Sequence, residues 1–180
     1  MTLVDDLHSI IPSPCYERPF VCDGLPQSCT VMVIGENPAT PMDTDWWSYW
    51  SDETGFNLSK LEHDYEARRR AQGKGPVSHT RRRLNWLRRD HGLRCLETNV
   101  FAEERPGGHG DGKSNAELLQ LFFSTFLRLK TIIVHGDVAK RVIGRLELPA
   151  WLHVEPTRHF RFLSRAKIAE IAAQLAKNAV

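Results

Sequence analysis

Four places in the 180-residue chain put polar side chains where they can do chemistry. Glu36 and Asn37 stand in Gly35-Glu36-Asn37-Pro38, a carboxylate beside an amide directly after the apolar run Thr30-Val-Met-Val-Ile34. An amide orients water but cannot take its proton; a carboxylate can do both. Asn99 closes a second apolar stretch with one acceptor and two donors, and His159 adds a titratable ring in a loop near the C-terminus. The fourth place is Gly107-Gly-His-Gly-Asp-Gly112-Lys113-Ser114, which fits the phosphate-cradling pattern G-x-x-x-x-G-K-[ST]. Its surroundings speak against a nucleotide. Glu103 and Glu104 precede it and repel a triphosphate, and the later apolar strand ends in His135-Gly-Asp137, at best a displaced acidic partner for magnesium. A P-loop phosphotransferase built on Gly107–Ser114 stands as an alternative, to be recognised by nucleotide binding that vanishes in Lys113→Ala.

The elements that must position these groups follow from periodicity and punctuation. Residues 2 to 11 predict a short amphipathic helix, and Pro12, Pro14, Pro19 and Pro26 rule out a continuous helix after it. The run 30–34 predicts a buried strand ended by Gly35. Helical spacing covers 59–71 and 79–91, the latter stopped by Gly92. Arg94 to Phe101 predicts a second strand, and Ser114-Asn-Ala-Glu117 a capping box that opens a helix to about Leu129. Thr131–Val134 predicts a third strand, Asp137–Leu146 a helix, Trp151–Val154 a fourth strand and Ser164–Lys177 a final helix. This alternation predicts an α/β fold, a three-layer α/β/α sandwich around a central mainly parallel four-stranded sheet, with residues 1–180 forming one domain. Ligands of such sheets gather at the carboxyl ends of the strands. Glu36 and Asn37, Asn99 and His159 all fall there.

Composition narrows the function classes. With 41% apolar residues, 26% charged residues and five tryptophans, the chain has the profile of a soluble globular protein. No apolar run approaches the ~20 residues of a bilayer span, and the N-terminus lacks the basic and apolar regions of a signal peptide. A cytoplasmic monomer with no membrane partner is expected. Cys15, Cys22, Cys29 and Cys95 lack zinc-ligand spacing, so reduced buried thiols are expected, an iron-sulfur cluster being the remaining alternative. The net charge is only +2, yet Arg68-Arg69-Arg70, Arg81-Arg82-Arg83 and Arg88-Arg89 fall within one short stretch. They form either a stripe that tracks phosphates or a solvated helical face.

Taken in order, these segments resemble a known family. Val31-Met-Val-Ile-Gly35-Glu36-Asn37-Pro38-Ala39 resembles the first motif of the uracil-DNA glycosylase superfamily, an apolar strand followed by G-[QEIM]-[DNA]-P and a residue facing the base. Leu96-Glu-Thr-Asn99-Val100 is similar to its middle strand, and Arg105-Pro-Gly-Gly to the Pro/Gly loop that follows in some branches. Ile132-Ile-Val-His-Gly136-Asp-Val-Ala139 looks like its strand-Gly-x-x-Ala-helix segment. Pro156-Thr-Arg-His159-Phe160 sits where the family carries an H-P-S loop, although this chain continues His-Phe-Arg.

The resemblance implies a uracil-DNA-glycosylase-like fold and a monofunctional DNA glycosylase. Such an enzyme flips out a pyrimidine and hydrolyses its N-glycosidic bond, leaving an abasic site. It implies Asn37, Glu36 and His159 as catalytic groups, with Asn37 and Glu36 serving a water and His159 donating to the departing base. Gly35, Ala39, Asn99 and Trp47 would line the base, and Arg158, Phe160 and Arg161 would meet DNA, Phe160 or Phe162 filling the vacated stack. No lysine is placed for a Schiff base, and no metal or organic cofactor is implied. Uracil-restricted members carry a bulky tyrosine where this chain has Ala39, so room remains for a 5-substituent. The cluster Asp45-Trp46-Trp47-Ser-Tyr49-Trp50 either stacks on a flipped base or packs the core. The expected substrate is uracil or a C5-modified pyrimidine, a hypermodified cytosine of phage DNA being one candidate that would make the protein a defence enzyme. A non-catalytic nucleic-acid binder on the same fold is the further alternative.

Overall fold

The computed structural model describes residues 2–38, 40, 42–103, 114–125 and 128–178. Along the chain run α1 (Leu3–Ile10), β1 (Phe20–Val21), β2 (Val31–Gly35), β3 (Trp50–Ser51), β4 (Gly55–Phe56), α2 (Leu58–Ala71), α3 (His79–Asn85), β5 (Cys95–Asn99), α4 (Ala116–Thr125), β6 (Thr131–His135), α5 (Asp137–Ile143), β7 (His153–Thr157) and α6 (Arg165–Asn178). β3 and β4 form a separate small hairpin.

The central sheet has the order β1-β5-β2-β6-β7, with β5, β2, β6 and β7 parallel and β1 antiparallel to β5. It is mixed, mainly parallel and flanked by helices, as the alternation of elements predicts. It holds five strands rather than four. The extra strand is only two residues long, and such a segment among prolines carries no readable period. Its outer edge is protected, because the Trp46 indole donates to the Phe20 carbonyl at 2.8 Å.

Alternation along the strands divides the core into two layers. Met32, Ile34, Leu96, Ile132 and Val134 face α1, α4 and α5. Val31, Val33, Cys95 and Ile133 face Leu84 of α3, Leu87, Phe160 and the apolar stripe Ile168, Ile171, Leu175 of α6. A sheet covered on both sides explains why β2 and β6 read as unbroken apolar runs. α3 does not reach 91 as an α-helix; Trp86–Asp90 form a π-helical turn that carries Leu87 into the core and Arg88 toward Glu97.

The connections fix where a crevice forms. After β2 the chain travels toward β5, and after β6 it travels toward β7 on the other side. The carboxyl ends of the adjacent strands β2 and β6 therefore flank a topological switch point, where such sheets bind ligands.

Candidate functional site

A cavity of about 480 Å³ opens at that point. Parallel register pairs Gly35 with Asn99, while Ile34 pairs with Val134, so the strand ends line up as Asn99, Gly35 and His135 on the face toward α3 and α6. Gly35 is the low point of this row. A Cβ built there would stand 2.7 Å from Asn99 Oδ1 and 2.9 Å from His135 Cε1 and Nε2. Its φ is not positive, so the requirement for glycine is space: the two polar side chains close over a position that no side chain can share. One row below, Val33 pairs with Glu97.

The main chain holds the loop after β2 in place. Val100 N–H donates to the Gly35 carbonyl and Phe101 N–H to that of Glu36, both at 3.0 Å, so the β2–β5 ladder continues past the strand end. Glu36, Asn37 and Pro38 all line the cavity. Asn99 is held from behind by Asn115, whose buried amide donates to the carbonyls of Asn99 (3.1 Å) and Pro19 (3.0 Å) and to Thr98 Oγ1 (3.0 Å). The expected capping box is replaced: Ser114 Oγ accepts from Ala116 N–H at 3.2 Å, and Asn115 turns inward.

Two histidines share the far wall. His159 Nδ1 accepts from Arg161 N–H at 3.2 Å, which leaves the proton of the neutral ring on Nε2. Burial, and then the Arg161 charge, lower its pKa, so the ring is neutral near pH 7. His135 meets His159 edge to face at 4.9 Å and lies tilted on Phe160 at 4.9 Å. Burial, reinforced by His159, pushes its pKa down to about 3.

The opposite wall is cationic and rich in hydroxyls. Arg18, Thr40, Tyr65, Arg69, Ser78, Thr80 and Arg81 line it. Burial alone would raise the Tyr65 phenol, but hydrogen bonds with Ser78 and Thr40 and the charges of Arg81 and Arg69 leave it below its ordinary value. Arg81 donates to Glu97 at 2.5 Å; desolvation works against its charge, yet Glu97 raises its pKa. The other Glu97 oxygen lies 3.0 Å from Arg88, an ion pair without hydrogen-bond alignment, and Arg88 and Arg89 both reach Glu62.

This ionic chain changes the meaning of the arginine clusters. Arg81 and Arg88 are buried in ion pairs, Arg89 is spent on Glu62, and Arg68 pairs with Asp43. They do not form a continuous phosphate-tracking stripe. The four cysteines are buried thiols. Among the described residues no group of three or more His, Cys, Asp or Glu could hold a metal ion.

Of the site residues expected from sequence, Glu36, Asn37, Asn99 and His159 share the cavity with Arg161, and Gly35 lies beneath the Asn99 and His135 side chains that line it. Arg158 is exposed on the same loop. Two expectations need correction. Trp47 is not on the cavity: it stacks on His8 at 4.3 Å, and its indole N–H is bound to the Pro12 carbonyl. Its neighbour Trp46 is buried against Phe20, Trp50 and Phe56, so the aromatic cluster packs the core. Phe160 is fully buried and cannot enter a base stack; Phe162, 57% exposed and covered on one face by Arg161 at 4.5 Å, is the ring that reaches solvent. Ala39 and the glycine-rich residues 107–113 lie outside the described residues. His135, Tyr65 and Arg81 were not singled out from sequence as site residues. His135 could have been found by counting register, because aligned parallel strands put it beside Gly35.

No family model matches the chain, and comparison with curated proteins yields no match. Among solved structures it is similar to a proposed uracil DNA glycosylase of Methanosarcina acetivorans, solved by NMR in solution. The identity is 14% and the TM-score 0.39, over 86% of this chain and 98% of that one. A likeness of that degree carries no argument about function. No described helix is long and apolar enough to cross a membrane.

Proposed function

We propose that the protein is a monofunctional DNA glycosylase that hydrolyses the N-glycosidic bond of a flipped-out pyrimidine and leaves an abasic site. One observation carries this reading: Glu36, Asn37, Asn99 and His159 converge on a single cavity of about 480 Å³. A planar ring fits among such convergent polar groups, and base-processing enzymes must hold their target outside the duplex in such a pocket. Asn99 hydrogen-bonds the base edge. Neutral His159 donates from Nε2 to the base oxygen as negative charge builds on the leaving group. Asn37 orients the attacking water, and the adjacent Glu36 carboxylate accepts its proton. Arg158, Arg161 and Phe162 contact the strand beside the cavity mouth.

The substrate we favour is a pyrimidine with a C5 substituent, including hypermodified cytosine of phage DNA. The sequence motivates this: Ala39 stands where uracil-restricted members of the resembled superfamily carry a bulky tyrosine. Pockets of roughly 300–1,000 Å³ take ligands larger than one ring, and the present volume of about 480 Å³ falls in that range. The hydroxyls of Tyr65, Ser78 and Thr40 supply partners for a polar substituent. A cytoplasmic, monomeric enzyme in base excision or phage defence is part of the same proposal.

The experiment offers wild type and Asn37→Ala duplex and single-stranded DNA carrying uracil, mismatched thymine or 5-substituted cytosine, and measures alkali-labile sites. Abasic product from wild type, reduced about 100-fold or more in the variant, is expected. Absence of product on every substrate refutes the glycosylase. Full-rate product from Asn37→Ala removes Asn37 from the mechanism.

A further inference from the structure

His135 is a residue that folding alone does not explain. It is 6% exposed at the end of a central strand, and its Nδ1 is buried without a hydrogen-bond partner among the described residues. Leaving a buried polar atom unsatisfied is costly, and native structures do so rarely enough that each case asks for a cause. Its ring is held by packing on His159 and Phe160, a role that phenylalanine or leucine would fill without the cost. The other edge of the ring points to a use. The imidazole tip, Cε1 and Nε2, overlies Gly35, opposite the Asn99 amide, at the switch point of the sheet and on the wall of the cavity, so Nε2 is the atom turned to a ligand.

We propose that His135 is a ligand-contacting, specificity-determining residue that, with Asn99 across Gly35, grips the polar edge of an uncharged planar heterocycle. The identity of that heterocycle as a flipped pyrimidine rests on the glycosylase reading; the contact itself does not. Because burial keeps the imidazole neutral, its Nε2 offers a ligand a single donor or acceptor, set by the tautomer, and not a charge. It therefore selects among bases by hydrogen-bond pattern. Asn99 alone can rotate its amide to suit either uracil or cytosine, and a second polar group fixed by packing removes that freedom.

The test uses the full chain and free bases as probes. Uracil, cytosine, 5-hydroxymethylcytosine and, as control, adenine are titrated into wild type, His135→Phe and His135→Gln. Binding is followed by amide chemical shifts of Gly35 and Asn99. Wild type is expected to bind one pyrimidine in preference to the others. His135→Phe, which keeps the ring packing, is expected to weaken that base about tenfold or more and to flatten the ratio between uracil and cytosine. His135→Gln, which retains a donor and an acceptor, is expected to recover part of the affinity and also serves if the phenylalanine variant fails to fold. Wild-type affinities and ratios in a folded His135→Phe, or in His135→Ala where only that variant folds, overturn the proposal. So does a wild type that binds none of the pyrimidines. Base binding by wild type without any abasic product from DNA would instead refute the glycosylase while leaving His135 in its role.

Discussion

Adding a single methyl group at Gly35 tests whether the strand end beneath the cavity is packed as argued. In Gly35→Ala the new Cβ would stand 2.7 Å from Asn99 Oδ1 and 2.9 Å from the tip of His135. Heavy atoms in good contact sit about 3.5–4.0 Å apart, so both side chains have to retreat by roughly 0.5–1 Å. His135 cannot do so freely, being wedged between His159 and Phe160, and Asn99, whose main-chain carbonyl Asn115 holds in place, can yield only by turning its side chain. Overpacking of this kind costs about 1–3 kcal/mol. For a chain of this size that lowers Tm by about 2–12 °C. The effect on function should be larger, because a displacement near 1 Å in groups that hold a reacting ligand costs about 100-fold in rate. Thermal unfolding gives the first number, and abasic-site formation or pyrimidine binding gives the second. Gly75→Ala is the control, since a Cβ there meets nothing within 4 Å and the variant should match wild type in both assays. A Gly35→Ala protein with wild-type Tm and undiminished binding would refute the account of Gly35 as the space that Asn99 and His135 need in order to close over the strand end.

Three further outcomes follow from the surroundings of the cavity. Below pH 6.5 the unfolded chain protonates His135 while the folded chain, with that pKa near 3, does not. Stability should therefore fall by up to about 1.4 kcal/mol per pH unit between roughly pH 6.5 and 3, and His159 acts in the same direction. Urea midpoints at pH 7.5, 6 and 5 should show a shallower slope in His135→Phe; equal slopes would count against the buried neutral imidazole. Glu97→Gln strands buried Arg81, leaving Arg88 with Glu62 alone, and should cost about 3–5 kcal/mol by urea denaturation. A loss under 1 kcal/mol would mean that water already screens the pair. Asn115→Ala removes an amide that serves three acceptors and should destabilise by about 1–3 kcal/mol. It should also raise KM more than it lowers kcat, because Asn99 loses its fixed register; an unchanged KM would reduce Asn115 to a purely structural role.

Much of this architecture is written locally. Val31–Ile34 and Thr131–Val134 are unbroken apolar runs because both sheet faces are covered, and Gly35, Asn99 and His159 stand at strand ends where crevices form. Other features depend on partners distant in sequence. Phe20 and Val21 become a strand only because Thr98 and Glu97 lie opposite. Glu62 and Glu97, not the arginines themselves, decide that part of the basic cluster turns inward. Phe160 and Phe162 look equivalent in sequence, yet one plugs the core under His135 and the other meets solvent. Trp47 shows the limit of motif adjacency, since nearness to Gly35-Glu36-Asn37-Pro38 along the chain did not bring its ring to the cavity.

The chain of charges Arg81, Glu97, Arg88, Glu62 and Arg89 also bears on how this pocket can change over time. Arg88 is shared between Glu97 and Glu62, so losing either acid orphans one outer cation and leaves Arg88 with a single partner, whereas exchanging acid and base together for apolar residues is far milder. Mutational paths that begin at Glu97 or Arg81 pass through a poorly folded intermediate. Thr80, on the same cavity wall, belongs to none of these ion pairs. New ligand preferences should accordingly arise by drift at such a hydroxyl position while the ionic chain stays fixed, a directional bias in evolvability that a deep mutational scan would expose.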